Sequence, residues 1–199
     1  MSRYGQSLSK IAILVALAAA PLASPLAAQE AEPATLGVQF RGSIPMAGLR
    51  DVVGGSDLGL PGLGASLVAE MDLEEGFRAR LEVGGDRWSG NEWSGRPGVE
   101  GKVSAFHVSI EGVLMLRPEE SPSWGPYVVA GLGGYAWSVQ GRDKGTGVST
   151  TERVDHVAGT LGFGFRLSRN LDFELRGLGG RIDPTLFAAA IQLSATYRF

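Results

Sequence analysis

Ala189-Ala190-Ile191-Gln192-Leu193-Ser194-Ala195-Thr196-Tyr197-Arg198-Phe199 reads in twos. Ala189, Ile191, Leu193, Ala195, Tyr197 and Phe199 fall on one side, and Gln192, Ser194, Thr196 and Arg198 on the other. Successive side chains of a strand point to opposite faces, so this is one β-strand with an apolar side and a polar side.

The same alternation recurs upstream. Strands are expected over Leu36–Ile44 (ended by Pro45), Leu63–Leu73, Phe77–Arg87, Lys102–Leu116, Pro126–Gln140, Arg153–Leu167 and Leu171–Ile182. The quoted stretch is the eighth. Past residue 35 no helical apolar period exceeds two turns. Connections alternate in length, with short turns near 74, 117 and 168. Longer Gly-rich or polar loops cover 45–62, 88–101 and 141–152, and a shorter one opens at Asp183-Pro184. The fold expected is all-β: an eight-stranded antiparallel up-and-down barrel, its first strand closing on its last.

Periodicity alone does not say which face of such a barrel meets solvent. One parity is nearly free of charge. The other carries Arg41, Glu70, Asp72, Arg78, Arg80, Glu82, Asp86, Glu111, Arg166, Asp172, Glu174, Arg176 and Arg198. The N-terminus decides between the two readings. Arg3 and Lys10 precede an apolar run, Ile11–Ala20, broken by Pro21 and Pro25 and followed by Leu26-Ala27-Ala28. That is the order of a cleavable signal peptide, residues 1–28, and its apolar run is shorter than the roughly 20 residues of a spanning helix. A linker over 29–34 and a barrel domain over 35–199 would follow. In an exported chain the apolar parity is expected to meet lipid, with Phe77, Tyr127, Phe173, Tyr197 and Phe199 as an aromatic girdle at one rim. The six Arg and seven Asp or Glu of the charged parity then fill the interior, where near-balanced charges pair. A transmembrane barrel of eight strands is just wide enough for side chains to fill.

Composition narrows the classes. The 199 residues include 30 Gly and no Cys, with 20% charged and a mean hydropathy of +0.06. Without Cys there is no disulfide frame and no thiolate metal site. The 18 Lys+Arg, less Arg3 and Lys10, stand against 21 Asp+Glu, which leaves the mature chain near −5 and without a basic footprint for nucleic acid.

With these residues laid out, the mature chain resembles the small outer-membrane β-barrels of the OmpA/OmpX type and their OmpW-like and opacity-protein relatives. Gly125-Pro126-Tyr127-Val128-Val129-Ala130-Gly131-Leu132-Gly133-Gly134-Tyr135 looks like the family's fifth strand, and Leu167–Arg176 is similar to the turn and seventh strand. The resemblance implies residence in the cell outer membrane, surrounded by its lipid. It also implies that Tyr197 and Phe199 form a C-terminal signal read by the barrel assembly machinery. For function it implies a structural or surface-interaction protein. The alternatives are a narrow pore for small hydrophobic molecules, as in OmpW-like barrels, or a lipid A-modifying enzyme.

No catalytic, cofactor or metal site is expected. His107-Val108-Ser109 is similar to the His-x-Ser of outer-membrane lipid A deacylases, yet both residues share the interior parity and Glu111 follows too closely to complete a triad. His156 has no partner set for a metal. The Gly-x-Gly runs at 131–134 and 162–164 precede no helix and so are not phosphate loops. Trp88, Trp93 and Trp137 are expected as interface anchors near the outer rim, with ligand binding by the loop pair Trp88 and Trp93 as a second reading. Any external partner would meet the three long loops.

Overall fold

A strand with two unlike faces needs two unlike environments, and a strand in lipid needs a neighbour on both edges. The computed structural model meets both demands. It describes residues 34–53, 62–90, 92–94, 96–116, 124–182 and 186–199. The strands are β1 (Thr35–Met46), β2 (Gly62–Glu74), β3 (Phe77–Ser89), β4 (Val99–Met115), β5 (Gly125–Asp143), β6 (Ser149–Arg166), β7 (Leu171–Arg181) and β8 (Phe187–Arg198). Each is antiparallel to the next, and the sheet closes in the order β1 to β8. The seam runs from Gly37↔Arg198 to Met46↔Ala189, so the strand read first in the sequence is the one that removes the sheet's last free edges. No helix among the described residues is long and apolar enough to cross a membrane.

The facing of the strands follows the charges. Phe40, Leu63, Leu67, Phe106, Leu161, Phe163 and Leu193 stand on the exterior, and Leu63 and Leu161 are each 70% exposed. The residues between them, Gln39, Arg41, Ser66, Thr160, Gln192 and Ser194 among others, are buried inside. This is the reverse of a soluble barrel and matches the lipid-facing arrangement expected above.

Strand five is the exception. Tyr127, Val129, Tyr135, Trp137 and Val139 share a parity, which an apolarity count assigns to the exterior; all five are buried inside the barrel. Val128, Ala130 and Leu132 face outward instead. Both columns of β5 are apolar, so hydrophobicity cannot set its facing. Register with its neighbours does: Gly131 pairs with Glu111, and Tyr127 pairs with Gly164. The Tyr127 ring lies over Gly164, where any Cβ would collide with it. Tyr127 is therefore no part of the exterior girdle; Phe77, Phe173, Tyr197 and Phe199 are all exposed there.

Three loop readings are also corrected. Pro45 does not end β1. Past Ser43↔Gly62 the strand pairs, among the described residues, with β8 alone, an edge position where proline is tolerated. The loop of 45–62 begins with a short helix, α1 (Ala47–Val53), entered through Ala47 at φ 45°. The loop of 141–152 is mostly strand, because β5 and β6 stay paired out to Arg142↔Ser149. Likewise β3 continues through Trp88 to Ser89. The signal peptide of 1–28, the linker up to 33, the loop of 54–61, the turn of 117–123 and Asp183-Pro184 lie outside the described residues.

Candidate functional site

Toward the short-turn end the lumen holds a charge lattice, beside a small apolar cluster of Val113, Met115 and Val129. Five guanidiniums (Arg41, Arg80, Arg166, Arg176, Arg198) meet six carboxylates (Glu70, Glu82, Asp86, Glu111, Asp172, Glu174), all buried. Inward columns of eight strands converge on one axis, so partners come from opposite walls. Arg80 on β3 reaches Glu174 on β7 at 2.8 Å and Glu70 at 2.8 Å. Arg166 on β6 reaches Glu70 on β2 at 3.0 Å. Arg176 on β7 bonds Glu82 at 3.1 Å and Glu111 at 2.8 Å. Arg198 holds Glu70 at 2.7 Å and pairs with Asp172; Arg41 holds Asp86 at 3.0 Å and pairs with Glu82. Of the thirteen charged positions read from the sequence, Asp72 and Arg78 stand apart: they pair with each other at the short-turn rim, with Asp72 half exposed.

Neutral side chains complete the lattice, and a reading by charge alone passes over them. Gln39 Oε1 accepts from Arg41 at 2.9 Å and Arg176 at 2.8 Å, while its Nε2 donates to Thr196. The Tyr127 hydroxyl donates to Glu174 at 3.1 Å, and Thr160 to Glu111. Gln39 shares the inward parity of Arg41, which is the signal that would have found it.

Toward the outer end the lumen is mainly apolar. Trp88 and Trp137 are fully buried there and stacked with centroids 6.0 Å apart. They are not the interface anchors expected: Trp88 belongs to the inward column of β3, and Trp137 to the inverted parity of β5. The stack continues through Tyr135 to His107 at 5.6 and 4.9 Å. Over it lies α1, whose Leu49, Val52 and Val53 are buried in the same cluster. The helix packs on β1 and β8 and also reaches β4 on the far wall. The Asp51 carbonyl accepts from Ser94 N at 2.8 Å, tying α1 to the β3–β4 connection. The outer mouth is thus crossed by a helix seated on aromatic rings.

His107 and Ser109 are both buried in the lumen. His107 Nε2 lies 3.0 Å from Glu82 and its Nδ1 3.5 Å from Asp86, whereas Ser109 Oγ has no hydrogen-bond partner among the described residues. They form no nucleophile–base pair. His156 is exposed near the outer end, and no cluster of three or more potential metal ligands occurs among the described residues.

Above the helix is a cleft of about 670 Å³. The β4–β5–β6 sheet rises past the barrel here, since β6 meets β7 only from Ala158↔Gly180 downward. Val52, Val139 and Ile182 floor the cleft, and Trp93, Val148 and Val154 wall it. Asp51, Arg96, Asp143 and Glu152 line it with charge. Trp93 is thus the one of the three Trp that faces an accessible hollow, with Arg96 stacked over its ring at 4.6 Å from the centroid. At the hairpin tip Asp143 Oδ1 accepts from Thr146 N at 2.7 Å and Gly145 N at 2.9 Å. The bond from Thr146, then its side-chain interaction and the Gly145 bond, hold the Asp143 carboxyl below its ordinary pKa.

Three solved structures share this architecture. Ail, the attachment invasion locus protein of Yersinia pestis, superposes at a TM-score of 0.58 with 14% identity, covering 83% of this chain and 97% of its own. Neisserial surface protein A gives 0.55 and 10%, covering 86% and 100%. A major outer membrane protein of Thermus thermophilus gives 0.52 and 13%, covering 84% and 100%. At such identities the likeness is one of fold. No curated protein sequence matches the chain. The model of the outer membrane protein beta-barrel domain, however, matches residues 12–199. The lipid-facing exterior, the closed eight-stranded sheet and this match agree: the chain belongs to the outer membrane protein beta-barrel domain family and is a protein of the cell outer membrane.

Proposed function

We propose that this barrel is a closed membrane scaffold whose working surface is the cleft at its outer mouth, a surface-interaction role without transport. The observation that carries this reading is α1 lying across the mouth on Trp88 and Trp137, directly above a lattice of paired charges. A solute entering from outside would have to unseat the helix, part the rings and then break several buried ion pairs. Each such pair is costly to break, about 3–5 kcal/mol when one partner is lost. The accessible chemistry lies instead in the cleft, whose size falls in the range of about 300–1,000 Å³ typical of small-molecule sites.

The alternative of a narrow pore for hydrophobic molecules gains some support from the apolar outer end of the lumen, but the charge lattice beneath opposes it. A lipid-modifying enzyme would need a nucleophile and base turned to lipid, and His107 and Ser109 point the other way. Tyr197 of β8 and Phe199 just beyond it, 54% and 69% exposed on the exterior, fit recognition by the assembly machinery. The discriminating experiment is planar-bilayer recording of the refolded protein. Closed bilayers, or rare small openings, are expected; a large, stable conductance would refute the closed-scaffold reading.

A further inference from the structure

The outer cleft has a chemical bias that its volume alone does not convey. Among its described lining residues, three carboxylates (Asp51, Asp143, Glu152) stand against one cation, Arg96. The basic side chains of β4 and β5, Lys102 and Arg142, lie on the other face of the sheet, where they line a separate hollow together with Glu100. Alternation along β4 and β5 turns both of their basic side chains away from the cleft, with Glu100 beside them, and the cleft's carboxylates come from α1, the end of β5 and β6. The cleft's own cation is engaged: the Arg96 guanidinium lies over Trp93. A ring face attracts cations through its quadrupole, an attraction that grows as the pair is desolvated. The position of Arg96 marks Trp93 as a cation seat beside an apolar floor of Val52, Val139 and Ile182.

Resting on the reading of the cleft as the working surface, we propose that it binds an organic cation, an apolar body carrying an ammonium head. The body lies on the valine and isoleucine floor. The head sits at the Trp93 face among the carboxylates, in the place where Arg96 now lies. An anionic molecule of the same shape meets three like charges and finds the counter-charge of Arg96 engaged with a ring. Arg96 thereby acts as an internal competitor, so removing it strengthens binding of the cation.

Isothermal titration of the refolded protein in a non-ionic detergent tests this, with 4-phenylbutylammonium and 4-phenylbutyrate as probes that share an apolar body. The ammonium is expected to bind about ten-fold more tightly, the scale of one cation–π contact and one partly screened charge pair. Arg96→Ala is expected to raise its affinity several-fold, and Glu152→Gln and Trp93→Leu to lower it several-fold. Unchanged heat-shifted gel migration of each variant shows that the barrel still folds. Equal affinity for the two probes, or a weaker ammonium affinity in Arg96→Ala, would overturn the cation assignment while leaving the cleft as a binding surface. No binding of either probe up to millimolar concentration would overturn both.

Discussion

At the scale of single residues, Arg176 and Arg78 look alike in the sequence and differ in weight. Both are arginines on the charged parity of their strands. Arg176 sits between Glu82 and Glu111 in the closed interior, while Arg78 pairs with Asp72 at a solvated rim. Removing one member of a buried pair leaves an uncompensated charge, whereas a rim pair is screened by water. Arg176→Met is therefore expected to destabilise the barrel by about 3–5 kcal/mol. Arg78→Ala should cost less than about 1 kcal/mol. Urea unfolding from lipid vesicles, compared with wild type, measures both. The charged positions were legible because each alternates with an apolar neighbour that must face lipid. The lumen aromatics were not. Tyr127 lies between Pro126 and Val128, so its two columns look alike, and only pairing with Gly164 and the neighbouring columns turns it inward; Trp88, between Arg87 and Ser89, falls where the alternation gives way to a Gly-rich polar stretch.

At the scale of elements, the eight strands follow from alternation, but their outer ends do not. Polar residues such as Thr150 and Glu152 extend a strand above the membrane as readily as they form a loop, so the β5–β6 hairpin could not be told from coil. Helix α1 is two turns long, too short for its period to register, and its place over Trp88 depends on contacts distant in sequence. Leu49→Ser with Val52→Ser is expected to release α1, each buried side chain costing on the order of 2–3 kcal/mol. Limited proteolysis should then cut near residues 47–53. The ion lattice beneath should still keep bilayers closed; a lasting current would assign the seal to the helix alone. The hairpin tip responds to pH. The Asp143 carboxyl, which stands above the membrane, is held below its ordinary value by the Thr146 and Gly145 bonds. Its contribution to tip order is thus complete above the unfolded value of about 3.9 and is lost as pH falls through the lower, folded one. The amide signals of Gly145 and Thr146 in detergent micelles should shift only in that acid window. A shift at neutral pH would contradict the capping role.

For the whole molecule, the distribution of exposure sets the behaviour. Exterior leucines and phenylalanines require a lipid or detergent shell, and a sheet without free edges resists unravelling. Unboiled protein is expected to run ahead of boiled protein in a detergent gel, as a compact barrel beside its extended chain. A protein that stays dispersed without detergent and shows no such shift would contradict the membrane arrangement. The family and its location follow from the same alternation that is visible in Ala189–Phe199. The cleft does not, because it is assembled from α1 and the ends of several strands that no local pattern brings together.

The cross-lumen pairing bears on how such a barrel enters a bilayer. Glu70, early in the chain, meets Arg166 and Arg198, and Arg80 meets Glu174. A half-inserted sheet holding β1 to β4 would carry four lattice carboxylates (Glu70, Glu82, Asp86 and Glu111) against only two lattice arginines, Arg41 and Arg80, with Arg166, Arg176 and Arg198 still outside. Such intermediates are disfavoured until β6, β7 and β8 arrive together. Neutralisation and closure thus become one concerted event, which makes insertion of this barrel a threshold process in which partly threaded chains are turned back.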